Sequence, residues 1–311
     1  MYFSATVGVR SSPPPAEREP CAGSGGRPTA EKTALVTGSS SGVGQATALA
    51  LAREGYYVLA AMRDPNRAAD LLDAASSQGD ADRIEVVGLD LLQNSEIIEA
   101  TVRSAVRRVG HLDVLVNNAG TAEGGAVEEI PVRLWRRVME TNFFGPLACI
   151  RAAVPGMREQ GSGAIVNVTS INGRVSGAGG GPYAASKFAL EALSEALRLE
   201  MNPFGVTVVI IQPGLYKTAI WGRPYEVNRD PKSPYAALNR DMAEFFENGW
   251  RDPAVADPAE VGQLVCAILR EDHPTLRYPI GRVGGGLSAR ELIDFWIKRP
   301  WEEVEARYRD E

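Results

Sequence analysis

From Lys32 onward the chain alternates short, almost unbroken apolar runs with stretches whose apolar residues recur every three or four positions. The runs Thr33–Thr37, Tyr57–Ala61, Ile84–Leu89, Val114–Asn117, Ala164–Thr169 and Val206–Gln212 read as strands with no polar face. Such strands are buried on both sides, which is the condition of a parallel sheet covered by helices. The intervening stretches predict helices over Val43–Glu54, Ser95–Val109, Pro131–Met157 (bent near Pro146) and Pro182–Met201. A further helical segment separates the second and third strands, and another covers Ser288–Trp296. Strictly alternating strands and helices predict the α/β class, as a doubly wound, mostly parallel sheet with helices on both faces.

Three stretches fall outside this rhythm. Residues 1–31, with Ser-Ser-Pro-Pro-Pro and Gly-Ser-Gly-Gly, have no apolar core and read as a mobile leader or an upstream start codon. Residues 215–250 are rich in proline and aromatics, and follow the sixth strand at the sheet edge where ligands bind. That segment is expected to be a lid. Residues 301–311 form a charged tail, leaving 32–300 as a single domain.

Composition narrows the function classes. The net charge of −6 gives no support to nucleic-acid binding, and no run approaches the ~20 apolar residues of a membrane span. Cys21, Cys149 and Cys266 are odd in number, far apart and without metal-ligand spacing. They read as reduced thiols in a cytoplasmic protein. With only His111 and His273, a histidine triad or zinc site is not expected.

The first strand meets the first helix through Thr37-Gly-Ser-Ser-Ser-Gly-Val-Gly44. Gly38 permits a tight turn, Gly42 lets the backbone approach a pyrophosphate, and Gly44 lets helix and strand pack closely. Ser39, Ser40, Ser41 and Val43 complete the loop. At the end of the second strand, where an acidic residue would accept from ribose hydroxyls, stand Met62 and Arg63. A guanidinium there favours a 2′-phosphate, so NADP(H) is expected and NAD(H) remains open. Asp64 either turns outward or partly neutralises Arg63. Asp90, with Leu91 beside it, either accepts from an adenine amino group or caps a turn.

Tyr183 and Lys187 lie four residues apart on a predicted helix, hence on one face and one turn from each other. A phenol beside an ammonium makes a proton donor and acceptor. At an effective dielectric of about 20 and ~5 Å, the pair would lower the tyrosine pKa by roughly two units.

Taken with Asn117-Asn-Ala-Gly, Asn142, Ser170, Tyr183-Ala-Ala-Ser-Lys and Pro213-Gly, the stretch from Lys32 to about Gly281 resembles the short-chain dehydrogenase/reductase family. The resemblance implies a seven-stranded Rossmann sheet, with Leu276–Ile280 as the last strand. It also implies that Tyr183 exchanges the proton with substrate, Ser170 orients the substrate oxygen and Lys187 binds ribose and lowers the tyrosine pKa. Asn142 would anchor a relay water. Asn118, Ala119 and Gly120 would line the adenosine side, and Pro213, Gly214 and Thr218 would flank the nicotinamide. Read from the residues alone, Ser170 and Thr218 could equally be caps and Asn142 a satisfied helix amide. The Met62-Arg63 ending resembles the NADP-preferring branch.

The aromatics of the lid either wall a pocket for a lipophilic or ring-containing carbonyl substrate, with Tyr216, Trp221 and Tyr225 in contact, or pack the lid onto the domain. Arg174, Lys217 and Arg223 are the candidates to grip an anionic group. The expected function is NADPH-dependent reduction of a ketone to a secondary alcohol. Oxidative alcohol dehydrogenation and a non-catalytic redox sensor are the alternatives. In this family long helices such as 131–157 and 182–201 pair across subunits, which implies a homodimer or homotetramer.

Overall fold

The structure, a computed structural model, describes residues 31–218, 226–248, 251, 255–283 and 287–298. Seven parallel strands form one sheet in the order β3-β2-β1-β4-β5-β6-β7. They are β1 (Thr33–Thr37), β2 (Tyr57–Met62), β3 (Ile84–Gly88), β4 (Val114–Asn117), β5 (Gly163–Val168), β6 (Val206–Pro213) and β7 (Arg277–Ile280). The order reverses between β1 and β4, so a crevice opens at their carboxyl ends. This is the Rossmann-like arrangement.

Alternation of side chains explains the doubly apolar strands. Ala34, Val36, Val58, Ala60 and Met62 face one core, while Leu35, Tyr57, Leu59 and Ala61 face the other. On the first face pack α1 (Gly42–Arg53), α2 (Ala69–Gln78) and α8 (Ala259–Ile268). On the second pack α3 (Ser95–Val109), α5 (Gly145–Gln160) and α6 (Gly181–Met201). Each fully buried Leu or Val contributes about 1.5–3 kcal/mol.

The helix expected over 131–157 is built differently. It runs as α4 (Val132–Met139), a π turn over Glu140–Phe144, and then α5. Its irregularity lies just before Pro146, near the expected bend. Pro146 has no N–H to give the Asn142 carbonyl. The ladder widens instead, and Gly145 donates to the Glu140 carbonyl. Gly145 is also required here, since a Cβ would stand 2.8 Å from Leu91 Cβ.

Helices α7 (Ala236–Asn248) and α8 lie in stretches to which the apolar pattern assigned no element, and the last helix, α9, spans Ala289–Lys298. Among the described residues no helix is long and apolar enough to cross a membrane. The leader, 1–30, and the tail, 301–311, lie outside the described residues.

Candidate active site

A cleft of about 700 Å³ runs across the carboxyl edge of the sheet, from the ends of β1 and β2 to those of β5 and β6. At one end it is floored by the glycine turn. Gly38 and Gly42 hold left-handed backbone, φ 72° and 58°. A Cβ on Gly44 would stand 2.2 Å from the Gly38 carbonyl oxygen, so α1 starts directly against the turn. Ser41 precedes α1 in extended conformation and makes no side-chain capping bond, which leaves the first N–H groups of α1 without that partner. Gly38, Ser40, Ser41 and Val43 line the cleft, whereas Ser39, Gly42 and Gly44 build it from behind. The Ser39 hydroxyl is fully buried on the Val36 carbonyl. A cradle kept clear of Cβ atoms, at a helix N-terminus with open donors, fits a dinucleotide pyrophosphate.

Arg63 stands exposed on the cleft wall beside Asp64 and Arg67. Asp64 Oδ1 accepts from Asn66 N and Nδ2 at 3.1 and 3.0 Å, capping the turn over Pro65–Ala68. Asp64 thus caps a turn while lining the cleft next to Arg63. Arg67 is a second cation at this corner that the sequence reading did not single out. Asp90 lines the cleft with Leu91 and also accepts from Leu92 N at 3.0 Å, so the cap and the cleft position coexist.

Asn118, Ala119 and Gly120 also line the cleft. The Asn118 side chain turns away, donating to the Thr37 carbonyl at 2.9 Å, while Thr37 Oγ1 accepts from Asn118 N and Ala119 N at 3.0 Å. Thr37 therefore joins the ends of β1 and β4, a role hidden in the motif's first letter. Pro213, Gly214 and Thr218 line the far side, with Thr218 against Gly42.

At the centre sit Ser170, Tyr183 and Lys187. Ser170 follows β5, caps the turn over Ile171–Gly173 through Asn172 N at 3.1 Å, and lines the same cleft as Tyr183. Lys187 Nζ donates to the Val168 carbonyl at 2.9 Å and lies 5.7 Å from the Tyr183 ring centroid. Asn142 is fully buried in the π turn and does not line the cleft. Its amide accepts from Thr121 N (2.8 Å) and donates to the Thr121 carbonyl (2.8 Å) and Ser186 Oγ (3.0 Å). It pins the loop after β4 to α6, so the side chain is the satisfied amide.

The electrostatics depart from the sequence reading. Burial pushes the Tyr183 phenol up rather than down, only partly offset by Ser170. The same burial brings Lys187 down to about 8, with Glu191 pulling the other way. Desolvation is the largest cause of both shifts. With no other charge bound, the phenol is an acid held in its protonated form.

Over this centre lies α7. Phe246 packs with Ala122, and Tyr183, Val227 and Met242 pack against them; Phe245 and Phe246 line the cleft. The segment is held by polar contacts: Asn239 Nδ2 donates to Glu129 Oε2 at 2.6 Å, its Oδ1 accepts from Ala126 N at 3.2 Å, and Arg133 pairs with Glu226. Tyr216, expected at the substrate, is instead largely a core residue. It is 3% exposed, hydrogen-bonds Glu260 Oε2 at 3.1 Å and packs on Gly281, although it reaches the cleft edge. Trp221, Tyr225 and Arg223 lie outside the described residues. Arg174 and Lys217 do not line the cleft; Arg137 does, paired with the buried Glu123. Neither Arg137 nor Thr141 beside it carried a signal beyond its place on α4 and the π turn.

Comparison with known proteins agrees with this geometry. The family model for short chain dehydrogenases matches residues 32–227. The chain is similar to retinol dehydrogenase 5 of Mus musculus, 38% identical over 85% of this chain and 84% of that protein. It is also similar to 3-ketodihydrosphingosine reductase of Bacteroides thetaiotaomicron, 32% identical over 79% and 87%. The crystal structure of a short-chain dehydrogenase from Streptomyces avermitilis superposes with a TM-score of 0.74 at 33% identity, covering 91% of this chain and 96% of that one. The chain belongs to the short-chain dehydrogenase/reductase family, as an oxidoreductase acting on alcohol and carbonyl groups.

Proposed function

We propose that the protein reduces a lipophilic or ring-containing ketone to a secondary alcohol with NADPH. The observation that carries this reading is a phenol that shares one cleft with Ser170, one turn from Lys187, beneath an apolar wall of Ala122, Phe245 and Phe246. The glycine turn, the open N-terminus of α1, Arg63 and Arg67 hold the dinucleotide. Bound NADPH supplies the hydride.

The chain's own residues do the rest. Ser170 Oγ and the Tyr183 hydroxyl both donate to the carbonyl oxygen and hold it against the cleft floor. Negative charge developing on that oxygen draws the phenolic proton from Tyr183. Lys187 stabilises the phenolate that remains, and Asn142 keeps the loop after β4 and α6 in register. A phenol raised by burial is protonated at neutral pH and so available as an acid for the reductive direction. The aromatic wall excludes water and favours apolar substrates. Two of the chain's relatives bear names that refer to lipophilic molecules, a sphingoid ketone and retinol.

The test is loss of NADPH absorbance with a panel of cyclic and acyclic apolar ketones. Tyr183→Phe is expected to bind NADPH normally and to lose at least about 100-fold in turnover. Undiminished turnover by that variant contradicts the mechanism.

A further inference from the structure

One charged group beneath the site has no part in the proton transfer described above. Glu191 lies on α6 one turn beyond Lys187 and is only 4% exposed. Its Oε1 accepts from Thr169 Oγ1 at 2.7 Å and from Gln212 Nε2 at 2.9 Å, and its Oε2 from Arg277 Nε at 2.8 Å. Thr169 immediately precedes Ser170, and Gln212 immediately precedes Pro213. One carboxylate thus joins the ends of β5 and β6, the edge strand β7 and the helix that carries Tyr183 and Lys187. The fold leaves room for it: a Cβ on Gly173 would stand 2.9 Å from Glu191 Cγ.

A buried carboxylate costs several kcal/mol in lost hydration. Anchoring β7 does not require it, because Arg277 also pairs with the exposed Glu195. What Glu195 does not do is reach the strand ends on either side of the cleft floor. The local charges are Lys187 and Arg277 against Glu191 and Glu195, and they sum to zero. Tyr183 faces the same space from α6, while β5 and β6 bring only the uncharged Thr169 and Gln212; Arg174 lies just beyond the turn over Ile171–Gly173.

We propose that Glu191 is a positioning residue of the proton-transfer machinery, a buried anion that ties the ends of β5, β6 and β7 to α6 and balances the charge of Lys187. The proposal rests on the function given above for Tyr183 and Lys187. Burial alone drives the Lys187 ammonium towards its neutral form, and Glu191 is the group that opposes this. Without Glu191 the amine would be neutral over more of the working range, and Arg277 would keep only the exposed Glu195 as partner. Without Arg277, the unneutralised carboxylate would hold the ammonium more strongly. The two changes therefore act in opposite directions, although both remove one bond from the same network.

The experiment uses the full chain labelled with ε-13C lysine and needs no dinucleotide. The chain has only five lysines, Lys32, Lys187, Lys217, Lys232 and Lys298, so loss of one signal in Lys187→Met assigns it. The Lys187 signal should titrate near pH 8 in the unaltered protein. In Glu191→Gln the midpoint should fall by at least about half a pH unit, and in Arg277→Gln it should rise by a similar amount. The alkaline limb of the kcat profile for ketone reduction should move with it in each variant. Midpoints that stay put, or move the same way in both, overturn the proposal. If the unaltered chain reduces no ketone, the functional reading fails while the lysine titration still decides the role of Glu191.

Discussion

At position 183 a proton donor for neutral pH has to stay protonated until the moment it gives the proton away. In the proposed mechanism burial supplies the first half of that requirement by raising the phenol, and the ammonium of Lys187, 5.7 Å from the ring, supplies the second. Arg63 poses a simpler question, because its exposed guanidinium lines the cleft at the end of the second strand. NADPH should therefore raise the unfolding temperature more than NADH does, and Arg63→Ala should remove the difference, about 1.5–3 kcal/mol of binding. Equal shifts in the unaltered protein contradict the role of Arg63. Tyr183 and Lys187 stood out in the sequence by their helical spacing and Ser170 through the family resemblance, and all three line one cleft. Their pKa directions were not visible, since spacing reports charges but not burial. Tyr216 shows the same limit, an aromatic near the cleft whose partner, Glu260, is 44 residues away.

Between the first strand and the first helix, the glycines act as a set. Gly44→Ala should place a methyl 2.2 Å from the Gly38 oxygen and force the turn open. Calorimetric titration should find dinucleotide affinity reduced by about tenfold or more, at a strain cost of roughly 1–3 kcal/mol. Unchanged affinity contradicts the cradle. In α7, Phe246→Ala should raise KM for bulky apolar ketones by about tenfold and leave small polar ones little changed, because it removes apolar wall rather than chemistry. An equal effect on both classes places Phe246 in packing alone. Most of these elements were legible, since doubly buried strands produce continuous apolar runs. Helix α8 was overlooked although Val261, Leu264, Val265 and Ile268 have helical spacing, because it follows the irregular segment without its own glycine punctuation. The π turn was invisible for another reason: Pro146 marks a fault in the ladder, and only the packing of Gly145 on Leu91 decides where it opens.

Over the whole molecule, two buried thiols set a limit on alkaline stability. Burial pushes Cys149 up from the ordinary 9.0 to about 12, and Cys266 to about 11. A raised value means that the folded chain keeps its thiol protons while the unfolded chain loses them. Stability from this source is complete below pH 9 and declines as pH rises towards 11–12. Urea midpoints measured across that window should fall less steeply in Cys149→Ala, and an identical slope contradicts the assignment. The sheet order and the cleft at its reversal bring Ser170, Tyr183 and Lys187 together, and the proposed function has Tyr183 donate a proton to a ketone that receives hydride. The direct measurement follows deuterium from labelled NADPH into the alcohol formed by the unaltered chain and by Tyr183→Phe. Label should reach the carbinol carbon with the unaltered protein, at a rate at least about 100-fold above that of the variant. No transfer by the unaltered chain, or equal transfer by both, contradicts it.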